Sequence, residues 1–302
     1  MSRVTPPYDL VTFVTDYGSK GGFVGALHAV VDSITGPSSL VRIIDLDHSI
    51  PPQDVLLGAL RMERSMKYLR PGVHVGVVDP GVGTPRLGVA VEAGGRVFVG
   101  PDNGLLMFAV AAVGGAQRAV AIEAHVLADR SKTFDGRDVF APVAAHLACG
   151  VDLLDLGPLV DAASLVCLQR PVARLLGDAL FELLVVQVDT FGNVQFGTDR
   201  SLIGRLGDRV RLGRTNDGED VLAQVGSTSQ TSRSALRCCS WTATNASPSR
   251  STKGGPTSCS ACGRATPLYA PQRRNRDGSA RTPTVRGSQA VKGHRRPVRR
   301  CR

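Results

Sequence analysis

The chain lacks any apolar run approaching the roughly 20 residues that a bilayer-spanning helix requires, so no such helix is predicted. Its first residues, "MSRVTPPYDLVTF", carry one positive charge and no long apolar stretch before a small-residue cleavage site. No secretory leader is predicted, and the cytoplasm is the expected compartment. Metal-binding cysteine pairs are also lacking. One CxxC, "CSAC" (Cys259–Cys262), and one "CC" (Cys238–Cys239) do not make the two spaced pairs of a four-cysteine zinc site. The last quarter is poorer still. From Thr228 onward there is no Ile, Phe or Met, and a single acid, Asp277, stands against 14 Arg and 2 Lys. Ser, Thr, Arg, Pro and Gly dominate, and such a segment cannot bury enough apolar surface to offset the entropy of ordering it.

That asymmetry explains the net charge of +10. Residues 228–302 contribute +15, and residues 1–227 contribute −5. The basic signal that would suggest a nucleic-acid partner therefore belongs to the tail and not to the body. Nucleic acid is not the expected partner.

What is present, in 302 residues with 42% hydrophobic content, suffices for one or two domains with a sizeable core. "LVTFVTD" (Leu10–Asp16) reads as a strand and "FVGALHAVVDSI" as a helix. "SLVRIIDL" (Ser39–Leu46) reads as a second, buried strand. "PPQDVLLGALRMERSMKYL" is a helix with Asp54 near its start, and "GVHVGVVDP" a third strand. "LGVAVEAGGRVFVGPDNG" reads as a hairpin. "DVFAPVAAHLACG" is a helix with Pro142 near its beginning and Gly150 at its end. Alternating strands and helices predict an α/β domain over residues 1–170 with a largely parallel sheet. Residues 178–227 switch to short alternating runs with a "NDG" turn, predicting a partial, truncated all-β domain. Residues 228–302 are expected to form a disordered basic tail.

In open α/β sheets, ligands bind beyond the carboxyl ends of the strands. Four polar clusters fall there: "TDYG" (Thr15–Gly18), "VDPGVGTPR" (Val78–Arg86), "GPDNGLL" (Gly100–Leu106) and "TFDGRDVFAP" (Thr133–Pro142). A fifth, "VDTFGN" (Val188–Asn193), opens the β domain. Singly, each is an ordinary turn or cap. Together, in this order, they resemble the S-adenosyl-L-methionine hydroxide adenosyltransferases, hydrolases related to the fluorinase and chlorinase. The resemblance covers roughly residues 8–227.

The resemblance implies attack of water or hydroxide on the ribose C5′ of S-adenosyl-L-methionine, with methionine leaving and adenosine formed. It implies no metal and no cofactor, and a homotrimer with sites between the α/β domain of one subunit and the β domain of the next. The family's water-activating Asp and Arg match Asp79 and Arg86. Its His stands in a motif usually read "TFHGRD", where this chain has Asp135. An ionised aspartate only accepts hydrogen bonds, whereas histidine can do both. Asp79 and Asp135 side by side would repel unless Arg86 or Arg137 compensates, so retained but altered catalysis is expected. Arg137 and Asp138 are expected to form an internal scaffold.

For substrate, the resemblance places Asp16 at the ribose hydroxyls, Asn193 at the nucleoside and Asp189 near the methionine amino group. Phe191 stacks on adenine or fills the core. Asn103 either contacts the ligand or caps the "PDNG" turn. His28, His48, His74, His125 and His146 sit in no matching motif and are expected to be ordinary surface or core residues. Halogenating relatives carry a Tyr-Pro version of "DPGVGT" and a long insertion after it. This chain has Asp79, Gly81 and only a short hairpin, which favours hydrolysis. The remaining alternative is a non-enzymatic adenosine-ligand or nucleic-acid-binding protein.

The family pattern stops near Ser227, where the composition changes. Back-translating Thr228–Arg264 with GC-rich codons and reading from the third letter allows "FADVP", a Leu/Val-rich run, and "DERLALAVNEGRADELLGLRPGD". That resembles the remainder of the family's β domain, so the tail is read as an out-of-frame translation. The gene's nucleotide sequence should show an insertion or deletion near Ser227–Ser229. An intact frame, shared by close relatives with the same tail, would refute this.

Overall fold

The structure is a computed structural model. It describes residues 7–131, 133–177, 180–188 and 194–197, together with strands at 209–214, 220–224, 235–236, 267–270, 273–274, 280–281, 284–285 and 299–300. The chain divides into two units, residues 1–169 with 297–302, and residues 170–296.

The first unit is built on a six-stranded sheet of order β2-β1-β3-β5-β4-β6. The strands are β1 (Leu10–Thr15), β2 (Arg42–Asp47), β3 (Val73–Val77), β4 (Gly88–Ala93), β5 (Arg96–Pro101) and β6 (Arg118–Ala121). β2, β1, β3 and β5 run parallel, while β4 is antiparallel to both its neighbours. The sheet is therefore largely parallel, with β4–β5 as the hairpin. The helices are α1 (Phe23–Thr35), α2 (Val55–Ser65), α3 (Met107–Ala112) and α4 (Ala141–Cys149). α1 packs against α4, and α2 against α3. The periodicity of two along β1 and β3 sends Val11, Phe13, Val73, Val75 and Val77 into one apolar cluster with Leu27, Val31 and the alanines of α4. The intervening Thr12 and His74 point to the opposite face, where the His74 ring lies against Phe98.

Local signals account for the helix ends. Asp54 caps α2 by accepting from Leu57 N–H at 3.0 Å. Pro142 sits in the first turn of α4, and Gly150 closes that helix at φ 103°. A single π turn, Gly136–Phe140, leads into α4. The strand read in "SLVRIIDL" exists, but its residues are exposed or half-buried and none is buried, contrary to the expectation of burial. β2 is the terminal strand of the sheet and pairs only with β1, so one of its flanks has no neighbouring strand.

The second unit is β-structured. β7 (Val166–Cys167) closes the first unit, and the next strands are β8 (Arg174–Gly177), β9 (Leu180–Val188) and β10 (Val194–Phe196). They are followed by β11 (Arg209–Arg214), β12 (Asp220–Gln224), β13 (Ala235–Leu236) and β14 (Pro267–Ala270). The strand order is β12-β11-β14-β9-β10-β13, with β8 also paired to β9. Among its described residues, Phe181, Leu183, Val185 and Phe196 are buried apolar side chains. β11 and β12 pair antiparallel on either side of "NDG", which lies outside the described residues. The tail was expected to be disordered, yet β14 comes from it and lies between β9 and β11. The physical reason is the backbone. A nine-residue strand such as β9 offers rows of N–H and C=O groups, and these can be paired by almost any sequence. No helix of the described residues is long and apolar enough to cross a membrane.

His74 is fully buried, with Nδ1 2.9 Å from Thr12 Oγ1. Burial, and then the charge of Arg96, lower its pKa from 6.5 to about 4. The unfolded chain therefore binds a proton below 6.5 that the folded chain refuses until about 4. Stability should fall as pH drops through that window, by up to about 3 kcal/mol. In His74→Gln this part of the slope should vanish in denaturant titrations at pH 7, 6, 5 and 4. An unchanged slope would show that His74 is protonated in the fold.

Candidate active site

The switch point of the sheet lies between β1 and β3, because the chain leaves β1 for β2 on one side and then crosses to β3 on the other. Asp16 follows β1 and Asp79 follows β3, so the topology places both carboxylates at this crevice. The Asp16 N–H still reaches Val77 O at 3.4 Å, extending the ladder by one step. Asp16 Oδ2 accepts the Gln53 N–H at 2.9 Å. Gln53 is one of two non-glycine residues at positive φ among the described residues, at 66°. A left-handed conformation is costly for such a residue. Burial raises the Asp16 pKa, the Gln53 N–H counteracts it, and the Asp79 charge raises it further.

Asp79 and Arg86 face each other across the turn that joins β3 to β4. Arg86 Nε lies 2.9 Å from each oxygen of Asp79, and Nη2 also bonds Oδ2. Gly81 N–H donates to Asp79 Oδ1 at 3.1 Å. The turn is held by Thr84 Oγ1 donating to Gly81 O at 2.6 Å. Nη2 of the same guanidinium donates to Asp135 Oδ2 at 2.5 Å. The other oxygen of Asp135 accepts from Arg130 Nε at 3.2 Å and Nη2 at 3.0 Å. The result is a chain of alternating charge, Arg130–Asp135–Arg86–Asp79. Burial pulls the Arg86 pKa down, but the bonds and charges of Asp79, then Asp135, outweigh it and hold it above its ordinary value. The guanidinium also lies over the Phe140 ring, 5.5 Å from its centre. A cleft of about 270 Å³ opens beside the chain, lined by Gly83, Thr84, Arg86, Arg130, Ser131 and Asp135.

Compensation for the two carboxylates thus falls to Arg86 and Arg130. Arg137, considered for that role, turns instead to Asp138, with Nε–Oδ1 2.6 Å and Nη2–Oδ2 3.0 Å. Asp138 is fully buried and also accepts the Ser131 N–H at 2.7 Å. Burial raises its pKa, but the Arg137 and Ser131 bonds prevail and hold the carboxyl below its ordinary value. The Arg137–Asp138 pair therefore anchors the loop that carries Arg130 and Ser131.

Tyr17 joins the walls. Its ring meets Phe134 edge-on with centres 5.4 Å apart, and Phe134 meets Phe23 in the same way at 5.2 Å. Burial, then the charges of Asp16, Asp79 and Asp135, raise its phenol pKa, while the Gly136 amide bonds its oxygen. Of the residues singled out in the sequence, Asp16, Asp79, Arg86 and Asp135 share this crevice. Asn103 bridges the turn after β5, with Nδ2 donating to Val78 O at 2.8 Å and Oδ1 accepting from Leu105 N–H at 3.1 Å. Asn103 therefore does cap the "PDNG" turn. Asp189, Phe191 and Asn193 lie outside the described residues. Sequence reasoning missed Arg130, Tyr17 and Gln53. Arg130 sits five residues before Asp135 with no periodic spacing to mark it, and only its charge could have suggested it.

The histidines form pairs. His28 Nε2 and His48 Nε2 approach the same Asp45 oxygen at 2.9 and 3.0 Å, and His48 Nδ1 lies 2.8 Å from Thr15 Oγ1. The His125 and His146 rings are 4.8 Å apart.

A Cβ on Gly136 would fall 2.2 Å from the Tyr17 hydroxyl oxygen. Gly136→Ala, which should help a helical turn on propensity alone, should instead destabilise by about 1–3 kcal/mol. Gly136→Ala combined with Tyr17→Phe should recover part of that loss. Thermal melts of the two variants check this, and equal melting temperatures for Gly136→Ala and the unaltered chain would contradict it.

Comparison with known proteins gives the same grouping. Residues 11–157 match the model of the SAM hydroxide adenosyltransferase N-terminal domain. The chain is 46% identical over 210 residues to the (R)-S-adenosyl-L-methionine hydrolase of Salinispora tropica, covering 69% of this chain and 79% of that protein. The protein of the same name from Thermus thermophilus is 37% identical over 220 residues, covering 68% and 82%. A fluorinase of an Actinoplanes species is more distant, at 24% identity over 224 residues, covering 66% and 74%. Among solved structures, an uncharacterized conserved protein from Thermotoga maritima superposes with a TM-score of 0.60 at 32% identity, covering 72% of this chain and 83% of that one. The family-model match spans the strands and turns that carry Asp16, Asp79, Arg86 and Asp135, and by these similarities the chain belongs to the SAM hydroxide adenosyltransferase family.

Proposed function

We propose that this chain hydrolyses S-adenosyl-L-methionine to adenosine and L-methionine. The observation that carries the reading is the Asp79–Arg86–Asp135 bridge at the switch point of the sheet, in a chain 46% identical to a protein named for that hydrolysis. A water oxygen attacks the ribose C5′, the C5′–S bond breaks, and its electron pair returns to sulfur, so methionine leaves as a neutral thioether. The proton lost by the water passes to Asp79 and then to solvent.

The sulfonium is already an activated leaving group, so the protein needs to position and activate water more than to polarise the bond. Arg86 holds the Asp79 carboxylate by three contacts and stabilises developing hydroxide. Asp16, acceptor-only when ionised, suits a vicinal ribose diol. Its Oδ2 is fixed by the Gln53 N–H, which orients the group. No metal or cofactor takes part in the proposed step. Asp189, Phe191 and Asn193 are assigned to the methionine and nucleoside ends of the substrate on the family resemblance. A cytoplasmic homotrimer, with an α/β domain spanning residues 1–170 and a β domain from 178, completes the proposal. Halogen transfer is the second reading, favoured only by the fluorinases at 24% identity.

Incubation with S-adenosyl-L-methionine, followed by chromatography, should yield adenosine and methionine in equal amounts. Added chloride or fluoride should yield no 5′-halogenated nucleoside. Asp79→Asn should lower kcat/KM by about 10²-fold or more. Adenosine absent from the reaction, or a halogenated product, would refute the reading.

A further inference from the structure

Two carboxylates that share one guanidinium leave a buried net charge of −1. In this site Asp79 is 6% exposed at its side chain and Asp135 is 5% exposed, with Arg86 between them. Neither carboxylate can turn to bulk water for solvation, and both compete for one cation. The structure contains a second cation placed to end this competition. Arg130 spends both Nε and Nη2 on Asp135 Oδ1, the oxygen that Arg86 does not touch. Each oxygen of Asp135 thus has its own arginine, and Arg86 keeps three contacts to Asp79 against one to Asp135. Arg130 arises from a loop tied down by Asp138, which accepts the Ser131 N–H. The guanidinium is half exposed, and so costs little to desolvate, while the carboxylate it meets is buried.

We propose that Arg130 is a positioning residue of this site: it neutralises Asp135 and so reserves the charge of Arg86 for Asp79. Among the described residues, the charged and titratable groups around Asp135 are Tyr17 from the loop after β1, Asp79 and Arg86 from the β3–β4 turn, Arg130 from its own loop, and Arg137 and Asp138 from the turn that follows. Arg137 and Asp138 satisfy one another, so among the described residues removing Arg130 leaves no other cation on Asp135 Oδ1. Asp135 would then draw Arg86 towards itself, and Asp79 would lose part of its partner. The assignment rests on the proposed hydrolysis for its kinetic readout but not for its spectroscopic one.

The test is a double-mutant cycle in the full chain. Arg130→Gln should lower kcat/KM by about tenfold, because a charged Asp135 then competes for Arg86. Arg130→Lys should retain part of the activity. Once Asp135 is made neutral by Asp135→Asn, adding Arg130→Gln should cost less than about twofold. Guanidinium ¹⁵N NMR of Arg86 should show shifted Nε and Nη signals in Arg130→Gln, and no further shift when Arg130→Gln is added to Asp135→Asn. An equal loss with and without Asp135→Asn would overturn the proposal. If the unaltered chain releases no adenosine, the hydrolysis reading fails, and the NMR signals of Arg86 alone decide: signals that do not move in Arg130→Gln overturn the role of Arg130.

Discussion

The site depends on one guanidinium. Arg86 is reached by two carboxylates that are 56 positions apart in the sequence, one at the end of a central strand and one at the mouth of a helix. Everything near it serves to bring those groups together and keep them charged. The β3–β4 turn folds back so that Arg86 meets the Asp79 seven residues before it. The π turn before α4 faces Asp135 towards the same cation. A π turn widens the helix by one residue and is an uncommon choice, often found where a side chain must be aimed. The contact is stronger than a surface ion pair because both carboxylates are buried. It is also conditional, since a buried carboxylate left without its cation is costly.

The sheet supplies the placement. With β1 and β3 adjacent and parallel, the residues after both strands emerge at the same edge, so Asp16 and Asp79 become neighbours without any contact between them in sequence. The two faces are filled by different chemistry. One is aliphatic and continuous with α1 and α4. The other holds Thr12 and a neutral His74, a buried pair joined through the Nδ1 of the ring, whose Nε2 has no hydrogen-bond partner among the described residues. The aromatic trio of Tyr17, Phe23 and Phe134 then joins the loop after β1, the start of α1 and the loop before α4. That trio encloses the crevice by apolar contact, while the arginines hold it by charge.

Much of this was legible in the sequence, and the parts that were not share a cause. Strands and helices with strong periodicity, such as "LVTFVTD" and "FVGALHAVVDSI", appear where the pattern put them. The exposure of β2 did not, because "RIIDL" reads as buried whether its strand is central or terminal, and only pairing order decides. The short α3 offers fewer than two turns of pattern. In the site, Asp16, Asp79, Arg86 and Asp135 were visible as polar residues at strand and helix ends. Arg130 was not, because a loop has no period and the partner of a loop side chain is set by tertiary geometry. The strand Pro267–Ala270 was missed for a third reason. Composition measures what side chains can bury, whereas strand addition is satisfied by the backbone.

Aspartate at position 135 changes what this corner of the site can do. A histidine there could donate to one neighbour and accept from another, so it could sit beside Asp79 without an added cation. Aspartate can only accept, so each of its oxygens needs a donor, and both donors found are arginines. The exchange turns a group able to pass a proton into a fixed charge. Proton acceptance in the proposed step therefore falls to Asp79, and the role left for Asp135 is electrostatic. Its value lies in holding Arg86 through Nη2, the nitrogen that also bonds Asp79, so that the guanidinium is clamped by two carboxylates. A clamped cation loses little entropy when hydroxide develops beside it, and that is the condition under which fixed dipoles and charges lower a barrier. The acidic residue at a position otherwise suited to histidine is thus compatible with the chemistry as long as the arginine count rises with it.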